Sequence, residues 1–351
     1  MKKIKVIHLL QSNKFSGAEN VVCQIIELFK GDNRYEMIYV CTAGEIESVL
    51  KEKNIQYFFL EKFTLKNISK AIQILKPDII QAHDFTASIY AAKYGKTINI
   101  ISHIHQNPLW LSSKVNIKSI IYAICSRRYR KIIGTSNSIL TEFCYKKYIS
   151  NKFELLPNVI DTDKIKEMSM IGDNMQELSY DLLYVGRMSS PKNPIGFLKI
   201  LKRLRCFFEV KAVMVGDGPL FEEVQRYIDE NDLKETVELR GFERNPYIFM
   251  KAAKLLLMPS LWEGFGLVAV EAMSLGTPVV CYNVGGLKDI VDSSCGFRCK
   301  DEDSMVDFLF KFYQNPQIRY SLSEAAKEKA KLYVNLEKYK QQLISYYECC
   351  D

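Results

Sequence analysis

Short β-rich apolar runs alternate with apolar helical patterns along nearly the whole chain, and that alternation narrows the fold to parallel α/β sheets. In the first half the runs are Val6 to Leu10, Met37 to Cys41, Tyr57 to Leu60, Ile79 to Gln81, Ile98 to Ser102 and Lys131 to Thr135. Helical patterns such as Val21 to Lys30 and Ile68 to Leu75 lie between them. The second half repeats the plan with Leu182 to Val185, Ala212 to Val215, Val237 to Arg240, Leu255 to Met258 and Pro278 to Cys281. Two such series in 351 residues fit two ordinary domains, each with its own core. The Pro157-Asn158 region and the polar segment Met168 to Ser179 read as the linker.

Two stretches of the second half carry chemistry. Glu263 and Glu271 frame a run with a glycine-rich loop, Trp262 to Gly266, and a helix-forming stretch, Leu267 to Leu275, closed by Gly276 and Pro278. The unpaired amides of a helix N-terminus suit an anion, best a phosphate. Glu263 stands on the loop and Glu271 about one and a half turns inside the helix. A capping acid and a solvated acid would give the same spacing. Arg187 and Lys192, in Gly186 to Pro194, follow the apolar run Leu182 to Val185. They are therefore expected on an open loop at a strand's carboxyl end, where open α/β sheets bind ligands. Solvated surface cations are the alternative.

The motifs together resemble the retaining nucleotide-sugar glycosyltransferases of family 4, which have the GT-B fold. The resemblance starts at Ser16-Gly17-Ala18-Glu19 after the first strand and continues with Leu156-Pro157-Asn158-Val159-Ile160-Asp161. It then runs through Gly186-Arg187 with Lys192-Asn193, Val215 to Leu220, the Glu263 to Glu271 run, Gly276 to Val280 and Gly285-Gly286-Leu287-Lys288-Asp289. Val159 replaces the usual Gly, and Asp289 stands where Glu is more usual. The resemblance implies two Rossmann-like domains facing a central cleft: residues 1–165 for the acceptor, residues 166–330 for the nucleotide sugar, and 331–351 as a helical tail crossing back to the first domain. It implies hexosyl transfer with retention from a nucleotide diphosphate sugar, most simply a UDP-sugar, to a growing polysaccharide or lipid-linked glycan.

As implied roles, Glu271 accepts from ribose hydroxyls and Glu263 from sugar hydroxyls, while Arg187 and Lys192 neutralise the diphosphate. Backbone amides near Phe265-Gly266 and Gly17 face that diphosphate, and His105 lies beside the donor sugar. No cofactor and no metal are expected. Asp161-Thr162-Asp163 and Asp301-Glu302-Asp303 are read as accidental metal-motif matches, and Gly216-Asp217-Gly218-Pro219 as a turn. A GT-B phosphorylase or epimerase would use the same donor-side residues. A non-catalytic nucleotide-sugar-binding subunit fits the intact set less well.

Charge is uneven. Residues 85–160 hold 11 basic and 2 acidic side chains, with Trp110, Tyr122 and Tyr129 among them and the cluster Arg127-Arg128-Tyr129-Arg130-Lys131. Interleaved basic and aromatic residues read as an anionic membrane contact. A nucleic-acid patch has the same composition, and a solvated face the same charge. A lipid-linked acceptor favours the membrane, so no nucleic acid partner is expected. No apolar stretch reaches spanning length. The basic start Met1-Lys2-Lys3 leads straight into a strand without the apolar segment of a signal peptide. The expected place is the cytoplasm, peripheral on the inner face of the cell membrane.

Of the histidines, His8 reads as structural and His83 as placed at a strand's carboxyl end. His103 and His105, two apart, share a face, but no third metal ligand shows a suitable spacing. The ten cysteines contain no Cys-x-x-Cys pair, and they read as reduced thiols.

Overall fold

The computed structural model describes residues 3–171 and 178–348. Part of the Met168 to Ser179 segment and the pair Cys349-Cys350 lie outside the described residues. The chain divides into two compact units, Met1–Asn158 with Leu336–Asp351, and Val159–Asn335. The division falls ahead of residue 165 because Ile160 and Ile165 are buried in the second unit's core. Tyr333 closes that core from the other end of the segment and its carbonyl accepts from the Ile160 amide at 2.8 Å.

The first unit holds β1 (Ile4–Leu9), β2 (Tyr35–Thr42), β3 (Tyr57–Leu60), β4 (Ile79–His83), β5 (Asn99–Ile104), β6 (Lys131–Gly134) and β7 (Phe153–Leu155). They form one parallel sheet in the order β3-β2-β1-β4-β5-β6-β7. The second unit holds β8 (Tyr180–Val185), β9 (Ala212–Val215), β10 (Val237–Gly241), β11 (Ala253–Met258), β12 (Val279–Tyr282) and β13 (Gly296–Cys299). Its parallel order is β10-β9-β8-β11-β12-β13. Central strands such as β4 are buried throughout, as helices on both faces require. In each sheet the order reverses beside its first strand: between β1 and β4, and between β8 and β11. Ligands of open α/β sheets bind outside the carboxyl ends at such points.

The final helix, Leu336–Glu348, belongs to the first unit. It buries Tyr339, Leu343 and Tyr347, each such side chain contributing about 1.5–3 kcal/mol. Tyr347 donates to Gln81 Oε1 of β4, and Tyr35 donates to Glu348 Oε1 at 2.6 Å. The described cysteines are free thiols, and Cys23, Cys41, Cys281, Cys295 and Cys299 are buried as core residues. Among the described residues no helix is long and apolar enough to cross a membrane.

Candidate functional site

β8 and β11 are neighbours, so the loops that leave their carboxyl ends meet. Met188 is buried and pins the first of them: its amide donates to Asp217 O and its carbonyl accepts from Leu220 N, both at 2.9 Å. The turn after β9 lies directly beneath. Gly216, at φ +137°, approaches so closely that a Cβ would fall 2.0 Å from Gly186 O. Arg187 projects into solvent, with no side-chain partner among the described residues. Lys192 closes the short turn Ser190–Lys192, and its Nζ donates to both carboxylate oxygens of Glu263, at 2.6 Å to Oε2. Asn193 caps the helix Pro194–Leu204 through its Oδ1, while its Nδ2 donates to Pro259 O at 3.1 Å. Leu261 N donates to Pro191 O at 2.8 Å. These bonds stitch the two loops together.

Lys192 therefore departs from the open-loop expectation. Its side chain is 27% exposed and that of Glu263 only 10%, so the pair is partly withdrawn from water. Arg187 remains on the open part of the loop.

Beyond Glu263 the chain reverses into a helix. Phe265 is buried edge-on against Tyr333, at 5.5 Å between ring centroids. Gly266 takes φ +105°, a conformation strained for any L side chain, and the helix Leu267–Ser274 begins at the next residue. The Glu263 carbonyl accepts from Gly286 N at 3.0 Å, which braces the loop from the turn after β12. Asp289 sits on the short helix Leu287–Ile290 that follows. Glu271 is 9% exposed, and its Oε1 accepts from Tyr247 Oη at 3.4 Å. Burial pushes its carboxyl up to about 7 from the ordinary 4.5, and the Tyr247 hydroxyl opposes that rise.

The first unit gathers all four histidines around its own switch point. His8 Nδ1 lies 3.1 Å from His83 Nε2, and His83 Nδ1 lies 2.8 Å from His105 Nε2. His103 Nδ1 takes the Gln81 amide at 2.9 Å. All four rings are buried, and desolvation holds His8 down to about 3 and His105 to about 4, so the imidazoles are neutral. The third imidazole that sequence spacing does not place beside His103 and His105 is His83. The backbone N–H of His105 donates to Asp84 Oδ1 at 2.8 Å. Burial raises the Asp84 carboxyl to about 6. Gly17 is exposed at the start of the helix Gly17–Leu28, whose Glu19 is buried and accepts from Ser16 Oγ.

Both aspartate motifs set aside above are helix caps. Asp161 Oδ1 accepts from Lys164 N at 3.0 Å, and Asp301 forms a capping box with Ser304. The basic stretch differs from its expected surface. Tyr122 and Tyr129 point into the core, Lys131 pairs with Glu154 at 3.0 Å, and Arg130 reaches Asn99. What the helix Ile117–Cys125 presents to solvent is Ile117, Ile121 and Ile124. Their spacing of four and three makes one helical stripe. Leu109 and Val115 are exposed nearby, with Lys114, Lys118, Arg127 and Arg128 also in solvent. Sequence reading also missed Tyr247 and Asp84, whose partners Glu271, His105 and Gln106 lie more than twenty residues away along the chain.

Two doubly wound parallel sheets with a charged switch-point site define the class, and comparison with known proteins supplies the family. Residues 15–164 match the family described as Glycosyltransferase Family 4, and residues 173–329 match Glycosyl transferases group 1. An Escherichia coli protein named UDP-Gal:alpha-D-GlcNAc-diphosphoundecaprenol alpha-1,3-galactosyltransferase is 25% identical over 345 residues, covering 88% of each chain. A Campylobacter jejuni alpha-1,4-N-acetyl-D-galactosaminyltransferase, named for a diNAcBac-PP-undecaprenol-linked acceptor, is 24% identical and covers 93% of this chain and 94% of its own. The crystal structure of HepE from Anabaena with UDP and glucose superposes with a TM-score of 0.84 at 20% identity, covering 99% of this chain and 100% of that one. The chain belongs to the family 4-like glycosyltransferases of the GT-B fold.

Proposed function

We propose that the chain transfers a hexosyl group, with retention, from a nucleotide diphosphate sugar, a UDP-sugar, to a hydroxyl of a growing cell-surface polysaccharide or lipid-linked glycan. The observation that carries this reading is the joining of Lys192 to Glu263 at the second unit's switch point, with Arg187 on the same loop. The UDP bound in HepE and the undecaprenyl-linked acceptors named for the two relatives support it. As the sugar departs, negative charge grows on the β-phosphate, and the Arg187 fork and the Lys192 ammonium stabilise it. Lys192 exchanges Glu263 for phosphate oxygens, which frees Glu263 to accept from sugar hydroxyls. Glu271 accepts from the ribose, and the amides of Phe265 and Gly266 face the diphosphate. Gly17 and His105 are the first unit's contributions. The departing phosphate takes the acceptor's proton on the attacked face, so no separate base is needed.

Incubation with a panel of UDP-, GDP- and ADP-sugars and a lipid-linked glycan tests the reading. Nucleoside diphosphate should appear with an α-linked product only when donor and acceptor are both present. Conversion of the donor sugar without an acceptor would make the chain an epimerase instead. Because protein cations serve the leaving group, turnover should be unchanged in excess EDTA. Loss of turnover that Mn²⁺ restores would reverse that assignment.

The reading includes attachment to an anionic membrane, such as the inner face of the cell membrane, through the exposed isoleucine stripe and its basic neighbours. Each Lys or Arg near such a surface contributes on the order of 1 kcal/mol. Charge reversal at Lys114, Lys118, Arg127 and Arg128 should abolish sedimentation with anionic liposomes at low salt while leaving transfer to a short soluble acceptor intact. Salt-insensitive, equal binding to neutral and anionic liposomes would show that charge has no part in it.

A further inference from the structure

His8, His83 and His105 form a continuous chain of hydrogen-bonded imidazoles across β1, β4 and the end of β5. The joints are His8 Nδ1 to His83 Nε2 at 3.1 Å and His83 Nδ1 to His105 Nε2 at 2.8 Å. Three neutral rings carry three ring protons, and the two joints hold two of them. The third proton must sit at one end, on His8 Nε2 or on His105 Nδ1. Both atoms are buried, and neither has a partner among the described residues.

The two ends are not equivalent. His8 is wholly enclosed in β1, an interior strand of the sheet, whereas His105 keeps 8% exposure just past the end of β5. An N–H locked in an apolar interior without an acceptor is rarer than an unused lone pair. The buried carboxylate of Glu19 acts electrostatically on His105, and its negative charge draws a proton toward that end. The proton therefore belongs on His105 Nδ1, and the direction of every bond follows. His83 Nδ1–H donates to His105 Nε2, and His8 Nδ1–H donates to His83 Nε2.

We propose that His8 and His83 are positioning residues that hold His105 as its Nδ1–H tautomer, a fixed hydrogen-bond donor for an oxygen of bound substrate. This rests on the reading of His105 as a substrate-facing group. Aligned bonds in a low dielectric polarise one another, so the chain strengthens the terminal donor. His103 is the internal contrast. Tyr347 donates to Gln81 Oε1, which leaves the Gln81 amide to donate to His103 Nδ1 and places the His103 proton on Nε2, a buried atom without a partner among the described residues that only this amide bond forces to carry it. A metal centre is the competing use of His83, His103 and His105, whose nitrogens lie within 4.8 Å of one another. The 2.8 Å joint is a hydrogen bond, shorter than the roughly 3.3 Å between two ligands of a tetrahedral zinc ion.

Two-bond proton–nitrogen correlation spectra of the ¹⁵N-histidine-labelled full chain at pH 7 read each tautomer without any substrate. Nδ1–H at His8, His83 and His105 with Nε2–H at His103 is expected. Nε2–H at His105 would overturn the proposal, as would one equivalent of Zn²⁺ shifting His83, His103 and His105 together. In His83→Gln the amide accepts at one end and donates at the other, so His105 should keep Nδ1–H. His83→Leu should release it to the Nε2–H form. In a transfer assay His83→Leu should lower kcat about tenfold, the equivalent of one hydrogen bond, and His83→Gln should recover most of the loss. An unchanged kcat in folded His83→Leu would contradict the positioning role, while the tautomer result stands apart from whether transfer is detected at all.

Discussion

Arg187→Ala and Lys192→Ala should each cut turnover by about 10²–10³, the scale seen when one stabiliser of transition-state charge is removed. They should differ in their effect on folding. Arg187 is exposed and has no side-chain partner among the described residues, so its removal should leave stability within about 0.5 kcal/mol. Lys192→Ala strips Glu263 of both charge-assisted bonds and leaves a nearly buried carboxylate alone. A loss of about 1–3 kcal/mol should follow, measured by urea unfolding. Adding Glu263→Gln to Lys192→Ala should restore much of that stability and none of the turnover. Near-wild-type turnover in both single variants would remove the diphosphate role from this loop.

Glu271→Gln should separate stability from donor affinity. The folded-state pKa of about 7 lies above the ordinary 4.5, so the folded chain holds this proton more tightly than the unfolded chain does. Below about pH 4.5 the carboxyl is protonated in both states and burial carries no penalty. Between about 4.5 and 7 stability falls, and above 7 the full penalty, about 3 kcal/mol, is present. Glutamine cannot ionise, so the variant should be more stable than wild type at pH 8 by up to that amount, with the difference vanishing in acid. The same substitution removes the carboxylate that accepts from ribose hydroxyls. Donor KM should rise more than kcat falls, and the wild-type donor KM should itself fall as pH rises through 7. Glu263→Gln should instead mainly lower kcat. Unfolding curves at pH 4.5 and 8, with kinetics on both variants, check all of this. Equal stability of wild type and Glu271→Gln at pH 8 would mean that the carboxylate is solvated.

The interior strands were legible because buried parallel strands are written as apolar runs. β7 and β13 were not. They are sheet edges of three and four residues, and β7 exposes Glu154 and Leu155, so neither carries a continuous apolar signal. The chemistry-bearing residues of the second unit could be picked out by local motif, yet the Lys192–Glu263 pair could not. The two positions stand 71 residues apart, and only the placement of β8 beside β11 brings them together. Tyr247 was hidden for the same reason, since nothing near it in sequence points to Glu271. The helix Ile117–Cys125 shows a different limit. Its composition suggested tyrosines on a basic face, whereas Tyr122 is turned inward and isoleucines are left in solvent. Periodicity finds the faces of a helix but not which one meets the core. His8, a polar residue inside the apolar run Val6 to Leu10, gave no sign of the two histidines it aligns with.

The most direct test of the nucleotide-sugar site is thermal unfolding with and without UDP, in wild type and in the Arg187→Ala/Lys192→Ala double variant. At UDP about 100-fold above its Kd, binding stabilises the folded state by about 2.7 kcal/mol, which should raise the wild-type Tm by roughly 5–10 °C. The double variant should show no shift at the same concentration. A wild-type Tm that UDP leaves unmoved, or an equal shift in the double variant, would contradict a diphosphate held by the β8 loop.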